Sequence, residues 1–347
     1  MRALVLSGGG ARGAYEAGVV TSLCKAKQFD IVCGTSIGAI NASLVAQGDI
    51  DALGRLWHGI AARDIIRYIP QVDILKNMVA IAGAVGADNA FKKIGDLLHL
   101  WHDYRALGAP ANLMGLRGAV SSDPVIQILQ DCLDWQKLQA SPTTLVVTGT
   151  NLTRGTTEGF FRFHTSRAAI EATFADKAGA TRFPLAAETY NSAVRASAAI
   201  PGAFTPVNFA PAGSIAFDYV DGGVANNTPI GLAVDAGATD VTVVFMDPSD
   251  DKPRQQSANN LAQIAFASYD VMQQKILEDD LKLACTVNDL DATTRGAKHK
   301  IVIDLWSVRP KEPLGLSVLG FNEQAALDAA FAQGLQDGQS PQRVTFP

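Results

Sequence analysis

The feature that most constrains this chain is a serine between two glycines, in the pentapeptide Gly-Thr-Ser-Ile-Gly at residues 34–38. A short apolar run, 31–33, precedes it, and a segment of small and apolar residues, 39–46, follows it. This order is typical of a nucleophile elbow, in which Gly34 and Gly38 relieve crowding in a tight strand-to-helix turn. The pattern therefore predicts that Ser36 is a nucleophile at the amino end of a buried helix, where the helix dipole favours negative charge.

A second glycine-rich turn follows a strand-like run, residues 3–6, near the amino terminus. Gly8, Gly10 and Gly13 match the G-x-G-x-x-G pattern with which dinucleotide-binding folds hold a pyrophosphate. The acidic residue that such a site requires would be Asp30. Because Asp30 precedes the second predicted strand, it would lie at the opposite edge of the sheet from the loop, which argues against a contact with a ribose.

The same loop is also suited to acyl chemistry. Backbone N–H groups exposed at the start of a helix can bind the oxyanion of a tetrahedral intermediate. With a nucleophile elbow one strand away, we favour this use over nucleotide binding. Arg12 would add positive charge near an anion or a phosphate headgroup if it points inward, and would be a surface residue if it points outward. The sequence leaves both orientations open.

A third signal lies far downstream, where a strand-like run, 214–220, ends in Asp221, Gly222 and Gly223. A carboxylate at a strand end, followed by two glycines, is well placed to enter a site at the carboxyl edge of a sheet. An Asp-Gly pair on its own is more often an ordinary turn. Asp218 has no such glycines after it, and we expect it to be a surface or structural residue.

Together, the three motifs resemble the patatin-like phospholipases. The family pattern of G-G-G-x-R/K-G, then G-x-S-x-G, then D-G-G/A is met without a substitution, and residues 195–206 and 226–229 also resemble the family. The resemblance implies that Ser36 is the nucleophile and that Asp221 is its base, with no third partner. It also implies an oxyanion hole and a set of motif glycines. The oxyanion hole would use Gly8, Gly9, Gly10 and Arg12, and the motif glycines are Gly13, Gly34, Gly38, Gly222 and Gly223.

The resemblance further implies a three-layer α/β/α sandwich with a mostly parallel central sheet. The implied activity is hydrolysis of carboxylic esters of lipids, of the phospholipase A or lysophospholipase type. The partner would be a lipid or fatty-acyl ester, with transient contact to a membrane or micelle surface. No metal or cofactor is expected, because the sequence lacks an EF-hand pattern and His99 and His102 are more readily neighbours on a helix face than metal ligands.

The alternation of strands and helices continues downstream. Further runs typical of strands cover residues 143–148, 241–246 and 300–306. Helical patterns cover 258–284, with a mixed-charge middle that indicates a solvated face, and 321–336.

We expect a single domain over residues 1–340, interrupted by an insertion at about 63–123. Large apolar residues recur in the insertion at mixed helical spacing and are broken by glycines. This pattern fits a lid or acyl groove, and it fits an ordinary helical layer over the sheet equally well. Residues 341–347 are expected to be a frayed tail.

Composition and charge argue against several other classes. The net charge is −5 and the basic residues are dispersed, which argues against a nucleic-acid partner. The four cysteines form no C-x-x-C pair, which argues against a zinc site or a disulfide framework and fits a reducing compartment. No apolar run approaches the roughly 18 residues of a membrane span, and residues 3–6 are too short for a signal peptide. We therefore expect a cytoplasmic protein, either free or peripheral at membranes, of undetermined oligomeric state.

The main alternative is an α/β-hydrolase with a Ser-Asp-His triad. His299 is the only histidine after Asp221, so the order of that triad would select it. That fold places its elbow after several strands, whereas at most two strands fit before Ser36. We therefore favour a dyad of Ser36 and Asp221 over this triad.

Overall fold

The computed structural model describes most of the chain, including all three motifs. The described residues are 1–70, 72, 117–176, 181–248, 261–293 and 303–344. Most of the predicted insertion at 63–123 lies outside them, as do His99, His102 and His299.

Ten strands form one sheet in the described part of the chain. They are β1 (Arg2–Leu6), β2 (Ile31–Gly34), β3 (Thr144–Asn151), β4 (Thr156–Arg162), β5 (Arg182–Pro184), β6 (Val207–Phe209), β7 (Phe217–Asp221), β8 (Asp240–Val244), β9 (Asp304–Val308) and β10 (Gln342–Arg343). Their order across the sheet is β10-β9-β8-β1-β2-β3-β4-β5, and β6 joins through β7, which pairs with β3. Neighbours from β9 through β8, β1 and β2 to β3 are parallel.

Helices lie on both faces of this sheet. They are α1 (Gly13–Ala26), α2 (Ile37–Ala46), α3 (Ile50–Trp57), α4 (Asp123–Cys132), α5 (Trp135–Ala140), α6 (Ala168–Asp176), α7 (Ala187–Ser197), α8 (Ile230–Asp235), α9 (Leu261–Thr293) and α10 (Gln324–Asp337). Leu4 and Leu6 of β1 belong to one apolar cluster, together with side chains of α1, α2 and α10. Ala3 and Val5 belong to a second cluster, with side chains of α8 and α9. Because successive strand residues point to opposite faces, the two clusters confirm the predicted three-layer α/β/α fold.

The central strands are apolar on both faces because helices cover both sides of a parallel sheet. Every residue of β2 and every residue of α2, the two elements that the elbow joins, is therefore buried. This agrees with the small, apolar sequence of residues 39–46, which predicts a helix enclosed on all sides.

Strands β2 and β7 meet end to end along one side of β3. β2 pairs in parallel with β3 as far as Val147, and β7 pairs antiparallel with the next stretch, starting with Asp221 opposite Gly149. β4 pairs with the other side of β3 along nearly its whole length, so β2 and β7 share the remaining side. The carboxyl ends of β2 and β7 consequently point at each other, and this brings the elbow and Asp221 together.

The observed elements differ from the predicted ones at several points. β7 begins at Phe217, not at residue 214. The predicted frayed tail is wrong at Gln342 and Arg343, which pair antiparallel with β9, because an edge strand leaves backbone groups available to a passing segment. The helix predicted over 258–284 extends to Thr293.

Helices α1 and α10 cross in close contact at two glycines, and this contact yields a test. A Cβ atom on Gly334 would lie 2.0 Å from the Tyr15 carbonyl oxygen. We predict that Gly334→Ala lowers the free energy of unfolding by about 2 kcal/mol or more, because the helices must separate. Gly231→Ala is the matched control, since Gly231 is exposed in α8 with no atom near its Cβ position. It should be neutral or stabilising by up to about 1 kcal/mol. Equal denaturant midpoints for the two variants would contradict the prediction.

Candidate active site

Ser36 occupies a strained turn between β2 and α2. Its φ is 57° and its ψ is −127°, a conformation that side chains rarely adopt. A Cβ atom on Gly34 would lie 2.3 Å from the Gly38 carbonyl oxygen, and one on Gly38 would lie 2.7 Å from the carbonyl oxygens of Leu6 and Ser7. Both glycines are therefore needed where the chain approaches itself, which agrees with the elbow that the sequence predicts.

Ser36 and Asp221 are in direct contact. The Ser36 Oγ donates a hydrogen bond to Asp221 Oδ2 at 2.5 Å, and the Gly223 N–H donates to the other carboxylate oxygen at 2.8 Å. The Ser36 N–H donates to Ser197 Oγ at 2.9 Å, which fixes the turn from the side of α7. Both members of the pair are buried, at 3% and 0% exposure. A nucleophile within hydrogen-bond reach of a carboxylate is the minimum arrangement for covalent catalysis.

Burial changes the protonation of Asp221. Loss of solvent raises the pKa of this carboxyl to about 7, against smaller opposing effects of the hydrogen bonds from Ser36, Gly223 and Tyr269. A carboxylate that protonates near neutral pH is a much better base than an exposed aspartate.

The glycine loop lies beside the elbow, and its N–H groups differ in their partners. A Cβ atom on Gly8 would be 3.0 Å from Ser36 Cβ. The Gly8 N–H donates to Asn227 Oδ1 at 3.0 Å, and the Arg12 N–H donates to the Gly9 carbonyl at 3.3 Å. Among the residues that the structure describes, the N–H groups of Gly9 and Gly10 donate to no acceptor. Of the four residues predicted for the oxyanion hole, Gly9 and Gly10 thus present free donors and the other two do not.

Arg12 points inward. Its guanidinium donates to Asp247 at 2.5 Å and also to Asp270, while its Nε donates to the Gly9 carbonyl at 3.3 Å. The side chain is only 4% exposed. Its charge is matched by two carboxylates, so the arginine anchors the glycine loop to the carboxyl-terminal part of the chain.

The remaining motif glycines leave room for side chains that pack directly against the backbone. A Cβ atom on Gly13 would lie 2.5 Å from Ile37 Cγ1. On Gly222 it would lie 2.4 Å from Thr148 Oγ1, and on Gly223 it would lie 2.1 Å from Gln273 Nε2.

The described histidines lie away from the serine and the aspartate. His58 Nδ1 is 2.7 Å from Asp328 Oδ1, and His164 Nδ1 is 2.8 Å from Ser166 Oγ; both contacts are exposed. In the described ranges, no group of three or more His, Cys, Asp or Glu side chains is arranged to hold a metal ion. Nor does any helix in those ranges have the length and apolar character needed to cross a bilayer.

The sequence analysis missed several polar residues of the site. Asn227 and Ser197 lie in stretches that it singled out for resemblance but not for a role. Tyr269 and Gln273 lie on α9, whose middle was predicted to be a solvated face. That prediction is wrong for Asp270 and Gln273, which are each 3% exposed. The charged residues around them in the sequence suggest a solvated helix. Burial of a polar residue depends on partners far away in the chain, which the local sequence does not show.

An apolar pocket opens from Ser36 and Gly10. Most of its wall is aliphatic or aromatic: Ile37, Ile40, Leu56, Ile60, Ile65, Val125, Ile128, Ala198, Ile200, Phe204 and Phe321. Ile60 and Ile65 lie on either side of the start of the predicted insertion at 63–123, and Val125 and Ile128 follow its end. The lining of this pocket has the apolar chemistry expected of a site for a hydrocarbon chain.

Comparison with known families shows to which family the chain belongs. The family described as Patatin, patatin-like phospholipase, matches residues 4–234. The chain belongs to the patatin-like phospholipase family. The match includes the glycine loop, the elbow and Asp221, and it ends before α9. Membership of this family supports lipid ester hydrolysis as the general class of activity.

Individual proteins resemble this chain only over a short stretch or at low sequence identity. A patatin-like phospholipase domain-containing protein of Caenorhabditis elegans is 53% identical over 55 residues, which are 15% of this chain and 5% of that protein. The chain thus matches only a small part of that relative's length. VipD from Legionella pneumophila aligns with 18% identity and a TM-score of 0.36, over 99% of this chain and 68% of its own. The type III effector protein ExoU aligns with 14% identity and a TM-score of 0.28, over 99% and 54%. Scores this low add nothing to the fold described above.

The pKa of Asp221 leads to a prediction about stability. Since that pKa is raised to about 7 and an unfolded aspartate titrates near 3.9, the folded state holds a proton between about pH 4 and pH 7 that the unfolded state has released. The contribution of Asp221 to the free energy of unfolding therefore falls as the pH rises from about 4 to about 7. Asp221→Asn should raise the melting temperature at pH 8 by a few degrees, and the gain should shrink toward pH 5.

The matched control is Asp218→Asn, which changes an aspartate on the same strand that binds Arg117 at the surface. It should show no such dependence on pH. Scanning fluorimetry at both pH values measures the difference. A melting temperature of Asp221→Asn below that of the parent at pH 8 would contradict the prediction.

Proposed function

We propose that this chain is a lipid acyl hydrolase, of the phospholipase A or lysophospholipase type, that works through an acyl-enzyme on Ser36 with Asp221 as the base. The observation that carries the proposal is the 2.5 Å hydrogen bond from Ser36 Oγ to Asp221 Oδ2 at a strained elbow. Family membership supports the class of substrate.

The reaction divides into two steps. In the first, Ser36 Oγ attacks the acyl carbon while its proton passes to Asp221, and the alcohol leaves with that proton. In the second, Asp221 takes a proton from water, which attacks the acyl-serine, and then passes that proton to Ser36 Oγ as the fatty acid leaves. The N–H groups of Gly9 and Gly10 would hold the oxyanion in both steps, because they are the donors of this loop that have no acceptor within the described part of the chain.

The substrate would lie with its acyl chain in the apolar pocket. Because Ile65 belongs to the predicted insertion and Ile60, Val125 and Ile128 flank it, we propose that the insertion contributes to the acyl groove of a single domain. Transient contact with a membrane or micelle surface follows from a lipid substrate. The proposed reaction uses no metal or cofactor.

We expect that Ser36 is the serine labelled by a fluorophosphonate, since among the serines that the structure describes it is the one whose hydroxyl donates to a carboxylate. Ser36→Ala should abolish labelling and lower kcat by on the order of a thousandfold or more, because the covalent route is lost. Asp221→Asn should be similarly inactive while remaining folded. Peptide mapping and release of fatty acid from a phospholipid and lysophospholipid panel measure these effects.

The control for this experiment is Asp218→Asn, which should keep the parent rate. Labelling of another serine, with Ser36 unmodified, would refute the assignment. Loss of activity in a folded His299→Gln variant, as complete as in Asp221→Asn, would favour the triad hydrolase instead.

Filling the pocket should discriminate between substrates by chain length. Ile128→Trp places a larger side chain in the wall and should lower kcat/KM for long-chain esters by about tenfold or more, because the acyl chain loses buried contact. A short-chain ester should be turned over at nearly the parent rate. The same substitution at Ile215, which is 71% exposed, is the control. Equal losses on both chain lengths would place the acyl chain elsewhere.

A further inference from the structure

Helix α9 brings three side chains to the candidate site from beyond the family match, which ends at residue 234. They are Tyr269, Asp270 and Gln273. Asp270 binds the guanidinium of Arg12 and so holds the glycine loop. Tyr269 and Gln273 lie one helical turn apart, so both face the same neighbours. The reaction proposed above assigns neither of these two a role.

Gln273 lies between the glycine loop and the end of β7. Its Nε2 is 3.3 Å from the position of a Cβ atom on Gly8 and 2.1 Å from that of a Cβ atom on Gly223. The Asn227 Nδ2 donates to the Gln273 carbonyl at 3.4 Å, and Asn227 Oδ1 in turn accepts from the Gly8 N–H. Helix α9 is therefore in direct contact with both segments that form the site.

The hydroxyl of Tyr269 has a defined direction. Gln273 Nε2 donates to Tyr269 Oη at 2.9 Å. An amide nitrogen can only donate, so the tyrosine oxygen is the acceptor in this bond and its own proton remains to be donated. The Asp221 carboxylate lies close to this pair, since Gln273 Nε2 and Asp221 Oδ1 are 2.1 Å and 3.1 Å from the same Cβ position on Gly223. Tyr269 lowers the pKa of Asp221, and Asp221 in turn raises the pKa of Tyr269, as expected for a hydroxyl beside a carboxylate. Asp221 thus accepts hydrogen bonds from Ser36 and Gly223, and the Tyr269 hydroxyl stabilises its charge from the side of α9.

We propose that Tyr269 is a positioning residue for Asp221, and that Gln273 orients its hydroxyl so that the carboxylate is held to receive the Ser36 proton. The proposal rests on the function proposed above and extends the Ser36–Asp221 pair to a third group. Tyr269 acts through Asp221 and does not touch the substrate in this scheme.

The expected signature is a change in the pH dependence of the rate. The hydrogen bond from Tyr269 lowers the pKa of Asp221, so its removal should raise that pKa and delay ionisation of the base to higher pH. The charged groups around this cluster are Asp270, which faces Tyr269, and Arg12, which is bound by Asp270 and Asp247. The contacts of Asp221 itself are with the uncharged donors Ser36, Gly223 and Tyr269.

The decisive variant is Tyr269→Phe in the full chain, assayed on a monomeric short-chain ester with the released acid measured by chromatography. The acidic limb of kcat/KM against pH reports the base in the free enzyme. We expect this limb to move up by about one pH unit, so that activity falls about tenfold below the limb and hardly at all well above it. Gln273→Met, which removes the orienting amide, should move the limb in the same direction by less.

The matched control is Tyr15→Phe, which removes another tyrosine–aspartate hydrogen bond, from Tyr15 to Asp337 at 2.9 Å, between α1 and α10. Its acidic limb should stay at the parent position. A merely structural role for Tyr269 predicts a loss that is equal at all pH values. An unmoved limb in folded Tyr269→Phe would overturn the proposal, and if that variant does not fold, an unmoved limb in Gln273→Met would do so.

Failure of the proposed function is separable from failure of this inference. An inactive parent, or a Ser36→Ala variant as active as the parent, would remove the function and the inference with it. Activity that depends on Ser36 and Asp221 but keeps its acidic limb in Tyr269→Phe would remove the inference alone.

Discussion

The candidate site depends on a buried carboxyl group whose pKa is close to neutral pH. Asp221 has no exposed surface and faces Ser36 across a 2.5 Å hydrogen bond. Desolvation alone would leave it protonated and useless as a base at neutral pH, whereas strong ion pairing would leave it ionised and weakly basic. Uncharged hydrogen-bond donors give a pKa between these extremes, because they stabilise the negative charge of the carboxylate without supplying a positive charge. The strained elbow, the glycines after β7 and the contact with α9 all supply or admit such donors.

The order and direction of the strands bring Ser36 and Asp221 together. In a fully parallel sheet, adjacent strands end at the same edge and present their residues side by side. Here β7 runs opposite to β2 on the same side of β3, so that Ser36 and Asp221 approach each other along the strand direction. The site therefore occupies a gap within the sheet, covered by helices on both faces, and this explains why both groups are buried.

The parts of the site that were predictable are those in which local backbone geometry demands glycine. Gly34, Gly38, Gly222 and Gly223 stand where the chain approaches itself, and the requirement leaves a mark in the sequence beside the residue that it serves. Contacts between remote segments leave no such mark. Arg12 and Asp270 are separated by 258 positions, and the charges around Asp270 are as typical of a solvated helix as of a buried one. The orientation of Arg12, the partners of the loop N–H groups and the approach of Tyr269 could only be learned from the assembled fold.

The position of β1 has a consequence for biosynthesis. The first strand of the chain lies in the middle of the sheet, between β2 and β8, and its pairing with residues 240–244 closes a loop of more than two thirds of the chain. Such non-local pairing is slow to form, and the chain emerges from the ribosome with its amino terminus first. The elbow and the glycine loop are thus made early but stay without β8, and without the carboxylates that neutralise Arg12, until α9 has been translated. A nascent chain would therefore expose Ser36 before the segments that complete the candidate site have been made.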